Sequence, residues 1–179
     1  MNARRLLLTA LLLATGGMAR ADEIAMHPAA ATPIAFAPTK ARAVELRILS
    51  APGSQACIDE LEVFAPGGSE NLAAAARGAR AAASSCLPGY EDRHRVGFVN
   101  DGKYGNGRSW IPAGTTDEWV RIELPALETV NCIVISRDRE GEYEDRLPGA
   151  LEIRVSEDGA DWKTVRRIDR VVRLGSQPR

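Results

Sequence analysis

Apolar and polar residues alternate along this chain in short runs. Val44, Leu46 and Ile48 interleave with Glu45 and Arg47, the period of two that marks a half-buried strand. Residues 58–64 read as a second strand, bounded by the turn segments Ala51-Pro52-Gly53-Ser54 and Pro66-Gly67-Gly68. After Trp119, Val120, Ile122 and Leu124 share one face while Arg121 and Glu123 share the other. Residues 130–136 are almost continuously apolar, as expected of a strand covered on both faces. Leu151, Ile153 and Val155 alternate with Glu152, Arg154 and Ser156; the turn signal Asp158-Gly159 follows, and a further strand begins at Trp162. Leu72 to Ala83 is mostly Ala, but Gly78 interrupts it and large apolar residues are few, so it is read as irregular or weakly extended rather than helical. Short strands with Gly, Pro and Asp turns between them predict an all-β sandwich or barrel. Its expected core includes Val120, Ile122, Leu124, Ile133, Ile135, Leu151, Ile153 and Val155.

The N-terminus follows a different pattern. Arg4 and Arg5 precede an apolar run from Leu6 to Thr15, and Ala19-Arg20-Ala21 is an A-x-A cleavage motif. This three-part order is that of a secretory signal; the run is too short to span a bilayer, which takes about 20 residues. Cleavage before Asp22 is expected, giving a periplasmic or secreted protein with no transmembrane segment after cleavage. Residues 22–42 are rich in Ala and Pro, with Pro28, Pro33 and Pro38 evenly spaced, and read as a linker or extended arm. The expected organisation is a signal peptide over 1–21, the arm over 22–42, one β domain over 43–170 and a tail over 171–179.

Charge and cysteine content narrow the picture. The whole chain has 23 Lys and Arg against 24 Asp and Glu. The signal holds three of the arginines, so the exported part is acidic, which argues against nucleic acid as a partner. Cys57, Cys86 and Cys132 are too widely spaced for a C-x-x-C motif. Cys132 lies in an apolar run and reads as a small buried hydrophobe. Cys57 and Cys86 lie beside loop-like sequence and are expected to form a disulfide in an oxidising compartment.

Three segments occur in a telling order: Asn100-Asp101-Gly102 followed by Trp110; Trp119-Val120-Arg121-Ile122-Glu123-Leu124; and Ile153-Arg154-Val155-Ser156-Glu157-Asp158-Gly159-Ala160-Asp161-Trp162. Together they resemble the coagulation-factor type C, or discoidin, domain of the galactose-binding-like superfamily, from about Ala43 to Ile168. The runs around Cys57-Ile58-Asp59-Glu60 and Ser136-Arg137-Asp138-Arg139 resemble a bacterial exported subgroup. The resemblance implies a jelly-roll β-sandwich and places Trp110, Trp119 and Trp162 as core or loop-anchoring residues. One departure is that Glu60-Leu61-Glu62-Val63, which resembles the family's last strand, comes first here. Either an N-terminal strand closes the sandwich in that place or the last strand is missing.

Two clusters carry candidate chemistry. The loop from Phe98 to Trp110 sets Gly102, Gly105 and Gly107 among oxygen-bearing side chains. Asn100, Asp101, Asn106 and Ser109 are candidate ligands for a structural calcium ion, which takes about six to eight oxygens. The resemblance adds Glu60 as the carboxylate arriving from the displaced strand. The alternative is an Asn-Asp-Gly turn with no ion. The second cluster is Arg137, Arg139, Tyr143 and Arg146, joined by His94. Arg forks and a stackable ring suit a sugar; the alternative is internal pairing among Arg137, Asp138, Asp145 and Arg146. No G-x-S-x-G, H-E-x-x-H or phosphate-binding glycine loop is present, so a non-enzymatic binding module is expected. Two partners stay open: a carbohydrate at the cell envelope, or another exported protein.

Overall fold

The computed structural model describes residues 22–175; the expected signal peptide lies outside them. Eight strands run through the described residues: β1 (Glu23–Met26), β2 (Thr32–Ser50), β3 (Glu60–Phe64), β4 (Arg80–Ala83), β5 (Glu118–Ser136), β6 (Ala150–Ser156), β7 (Lys163–Ile168) and β8 (Arg170–Arg173). Short 3₁₀ turns are the only helical elements among these residues. The main sheet has the order β3-β5-β2-β6-β7, with β4 also paired to β5. Every pairing in it is antiparallel.

Two 19-residue strands, β2 and β5, organise the fold. They pair with each other along their length, and the register shifts between Ala35 and Thr39 and again between Ala41 and Ala43. Pro38 and Pro125 fall in the interrupted stretches, where a residue without an N–H leaves no ladder bond to lose. On one side of the break β5 meets β4 through Val120 to Glu123; on the other it meets β3 through Cys132 to Ser136. Inward-facing residues from both halves share one core: Ile34, Phe36, Leu61, Val63, Ile133 and Ile135 with Val44, Leu46, Ile48, Val120, Ile122, Leu151 and Ile153. The architecture is the expected jelly-roll β-sandwich. The eight residues expected in the core are all at most 2% exposed.

The Ala/Pro-rich segment over 22–42 is not a linker. Thr32, Ile34 and Phe36 are buried while Pro33, Ala35 and Ala37 between them are exposed. This is a period of two carried by small and proline residues that masked it. Thr32 to Ala35 pair with Ile135 to Cys132. β1 runs parallel to β8, so the beginning and end of the described chain are fastened together, with the Asp169 N–H donating to the Asp22 carbonyl at 2.9 Å. The expected tail therefore begins as a strand. Within Leu72 to Ala83 the chain makes one 3₁₀ turn, ended by Gly78 at φ +92°, and then β4.

The three tryptophans divide. Trp110 is fully buried and its indole N–H donates to the Ser85 carbonyl at 2.8 Å. Trp119 and Trp162 stay half-buried on the outer sheet face, where they flank the Arg121 guanidinium at 3.9 and 4.6 Å from the ring centroids. Beneath lies the fully buried Glu45, paired with Arg121 at 2.5 Å and Arg154 at 3.1 Å. These two rings are therefore not core residues; Trp162, at the end of the turn before β7, is held against the sheet by Arg121. They cover an ion pair that would otherwise be in water and so contribute little.

Candidate functional site

Two loops leave the same end of the sandwich. One carries residues 84–117 between β4 and β5; the other carries 137–149 between β5 and β6. Between them is a cavity of about 370 Å³ lined by Leu87, Tyr90, His94, Asn106, Ile111, Arg137, Tyr143, Asp145 and Arg146. Four of the five residues proposed from sequence as ligand contacts, His94, Arg137, Tyr143 and Arg146, line this space. The fifth, Arg139, does not. Its guanidinium is captured by Glu62 and by Ser136 Oγ at 2.5 Å, and lies 4.2 Å from the centre of the Tyr104 ring. A carboxylate and an aromatic face on the other side of the backbone outcompete the cavity for it.

Arg137 is the floor of the cavity, with its side chain 1% exposed. Its Nε donates to the Asp145 carbonyl at 2.8 Å and its Nη2 to Asp145 Oδ1 at 2.7 Å. Its Nη1 donates to Asn106 Oδ1 at 3.0 Å and to Cys57 Sγ at 3.3 Å. Four of the five guanidinium N–H groups are thus engaged. Arg137 clamps three separate segments together and leaves little for a ligand. Arg146 is different. It sits at φ +59°, uncommon for a residue with a Cβ, and is fixed by Nη1 bonds to the Gln55 side-chain oxygen at 3.0 Å and carbonyl at 3.4 Å. Its Nε lies 3.6 Å from Asp145 Oδ2, and the residue lines the cavity.

His94 is placed by its own backbone. Its N–H donates to the Tyr90 carbonyl at 2.8 Å, and the residue bridges to Ser109 across the loop. His94 Nδ1 lies 2.9 Å from Ser109 Oγ, and the Ser109 hydroxyl donates to the Asn106 carbonyl at 2.9 Å. Because that single hydroxyl proton is spent, Ser109 can only accept from the ring, and we assign the proton of the neutral ring to Nδ1. Nε2 is then a lone-pair acceptor. Burial first, and then the cations of Arg146, Arg137 and Arg93, push the His94 pKa below its ordinary value, so the neutral form prevails. Tyr90 and Tyr143 stand at the rim, 53% and 42% exposed, with the Tyr90 ring 6.1 Å from the imidazole.

Cys57 lies beneath this floor, fully buried. Burial raises its thiol pKa to about 11. The expected Cys57–Cys86 disulfide is not formed: both are free thiols, as is Cys132. Cys57 Sγ is turned toward Arg137, while Cys86 packs against the hydrophobic core.

The proposed calcium ligands separate into two groups. Glu60, on β3, does reach the Gly-rich loop: its Oε1 accepts the Gly102 N–H at 3.2 Å, while its Oε2 is buried without a partner. Burial, with Asp101, Glu62 and Asp59 nearby, raises its pKa to about 8. Asp59 and Asp138 likewise each keep one buried carboxylate oxygen unpartnered. Asp101 Oδ1 accepts the Lys103 N–H at 2.8 Å and its Oδ2 pairs with Arg108. Asn106 and Ser109 face the other way, toward Arg137 and His94. The Asn100 amide donates to the Ala73 carbonyl at 2.7 Å. Among the described residues no three His, Cys, Asp or Glu side chains gather into a metal-holding group. A cation here would therefore rest on Glu60, Asp101 and backbone carbonyls, and it is the orphaned Glu60 oxygen that fits one.

Sequence reasoning missed Leu87 and Ile111, which had no signal beyond being apolar. Asn106, a candidate ion ligand from sequence, lines the cavity instead, and Asp145 pairs internally with Arg137 and Arg146, as the internal-pairing alternative has it.

No curated protein matches this chain, and no solved structure does. A family model does: the F5/8 type C domain, over residues 80–176, more than half of the chain. That span runs from β4 through β8 and contains both cavity loops, and by it the chain belongs to the F5/8 type C (discoidin) domain family, a family of binding modules.

Proposed function

We propose that this protein is an exported, non-catalytic module that binds a neutral carbohydrate in the loop-end cavity, at the cell envelope or outside the cell. The observation that carries this reading is the alternation of hydrogen-bonding roles around one small space. Neutral His94 offers an acceptor, Arg146 a donor, and Asp145, paired with both Arg137 and Arg146, a second acceptor; all three line the cavity. A sugar hydroxyl both donates and accepts, so neighbouring hydroxyls satisfy such a wall. An anion would gain from Arg146 but meet the Asp145 carboxylate and the His94 lone pair. Tyr90 and Tyr143 supply the apolar faces on which a pyranose ring rests. The large hydrophobic side chains exposed among the described residues are Tyr90, Leu127, Tyr143 and Leu174. Two of them sit at this cavity, whereas a protein partner calls for a broad apolar patch. The export reading rests on the N-terminal signal pattern.

Calcium fits the same account as a structural ion held by Glu60, Asp101 and loop carbonyls. It would supply positive charge to buried carboxylates and stiffen the loop whose far end carries Asn106 and Ser109. A glycan array probed with the purified mature chain tests the sugar reading. Retention on neutral glycans supports it; retention only on anionic glycans, or on none, overturns it.

A further inference from the structure

The wall formed by Asp145 and Arg146 has two sides. Beyond it lies a second cavity, about 340 Å³, lined by Pro52, Gly53, Ser54, Leu147, Pro148, Val171 and Arg173 together with the same Asp145 and Arg146. Three separate parts of the chain build it: the turn after β2, the end of the 137–149 loop, and β8. Several contacts set these parts against one another. The Val171 N–H donates to the Gly149 carbonyl at 2.7 Å, and the Gly149 N–H to the Ser50 carbonyl at 2.7 Å. A Cβ at Gly149 would fall 2.9 Å from Pro52 and 3.0 Å from Ser50 Oγ, so the close approach needs glycine. Arg173 is tied to Glu144 at 3.0 Å.

We infer that this second cavity is a subsite for the next residue of the carbohydrate chain, so that the ligand is an oligosaccharide lying across Arg146. The inference rests on the sugar reading of the first cavity. Each cavity alone is near the small end of the range for ligand sites, about 300–1,000 Å³, and they adjoin across a wall of two shared residues. The second offers a sugar ring aliphatic and proline surfaces on Pro52, Leu147 and Val171, with Ser54 and Arg173 at the edges to meet hydroxyls. Arg146 divides them and is pinned by Gln55, so its guanidinium stands where a glycosidic linkage and its flanking hydroxyls would cross. A peptide would instead need backbone partners along an open strand edge; the cavity offers side chains.

The test is an array of immobilised neutral gluco-, galacto- and manno-oligosaccharides of one to six units, with a peptide array in parallel. It is probed with wild type, Ser54→Trp, which fills the second cavity, and Arg173→Ala, which removes its cationic edge. The expected result is a gain of about tenfold from one unit to two in wild type. Both variants should keep the single-unit signal within about twofold and lose most of that gain. A wild-type signal independent of length overturns the extension and leaves the first-cavity reading standing, as do variants that retain the gain. Absence of sugar binding overturns both, and retention on peptides alone assigns the surface to a protein partner and likewise overturns both.

Discussion

His94 is a single side chain whose usefulness depends on one proton. With Nδ1–H donated to Ser109, the ring can accept at Nε2 only while it is neutral. Its pKa lies below the ordinary value because it is buried and ringed by Arg146, Arg137 and Arg93, with only Asp92 opposing. Sugar binding is therefore expected to be flat above pH 6.5 and to weaken as pH falls into the acid range, where the ring takes a second proton and loses its acceptor. His94→Ala should weaken binding by about tenfold or more, in line with a lost buried hydrogen bond, and should abolish this acid limb. Ser109→Ala should weaken binding less, because it frees the tautomer without removing the ring. Calorimetric titrations between pH 5 and 8 would show it; an unchanged acid limb in His94→Ala would remove the ring from the site. The sequence displayed His94 as one of two histidines but said nothing of its tautomer, since that depends on a hydroxyl 15 residues away and a carbonyl beside it.

Elements bring together what spacing along the chain keeps apart. β3 delivers Glu60 to a loop more than 40 residues later, as its likeness to a displaced family strand implied, and does so by pairing with the end of β5. A buried carboxyl with a folded pKa of about 8 and an ordinary one near 4.5 when unfolded holds its proton more tightly in the folded state. Its contribution is present below about pH 4.5 and is lost as pH rises through 8. In chelator, the melting temperature should accordingly drop by several degrees between pH 5 and 8, Glu60→Gln should flatten that slope, and calcium should restore stability to wild type but not to the variant. If chelator and calcium give the same melting temperature for wild type at pH 8, the loop is only a turn. The opposite lesson comes from β2. Its first half is rich in Ala and Pro and reads as a linker or extended arm, yet Ile34 is 2% exposed in the core. Ile34→Ala should cost about 2–4 kcal/mol in denaturant unfolding, whereas a linker residue would cost almost nothing.

At the scale of the molecule, the sandwich was legible because its central strands carry large apolar residues at a strict period of two. Val44 to Ile48, Val120 to Leu124 and Leu151 to Val155 needed no tertiary information. What was illegible depends on which way a polar side chain turns. Arg139 and Arg146 look alike in a charged run, but Glu62 and Tyr104 withdraw the first while Gln55 pins the second beside the cavity. The same blindness left Trp119 and Trp162 undivided between core and loop-anchoring roles and paired two cysteines that face different surroundings. The proposed function rests on the loop end, where Arg137 clamps the walls and Tyr143 and Arg146 line the cavity. The most direct measurement is a calorimetric titration of wild type, Tyr143→Ala and Arg146→Gly with the neutral sugar that the array retains best; glycine accepts the left-handed backbone at 146 without strain. The account predicts saturable binding by wild type and affinities about tenfold or more weaker in both variants, with melting temperatures close to wild type. Equal affinities in all three proteins, or no heat of binding from wild type, would contradict it.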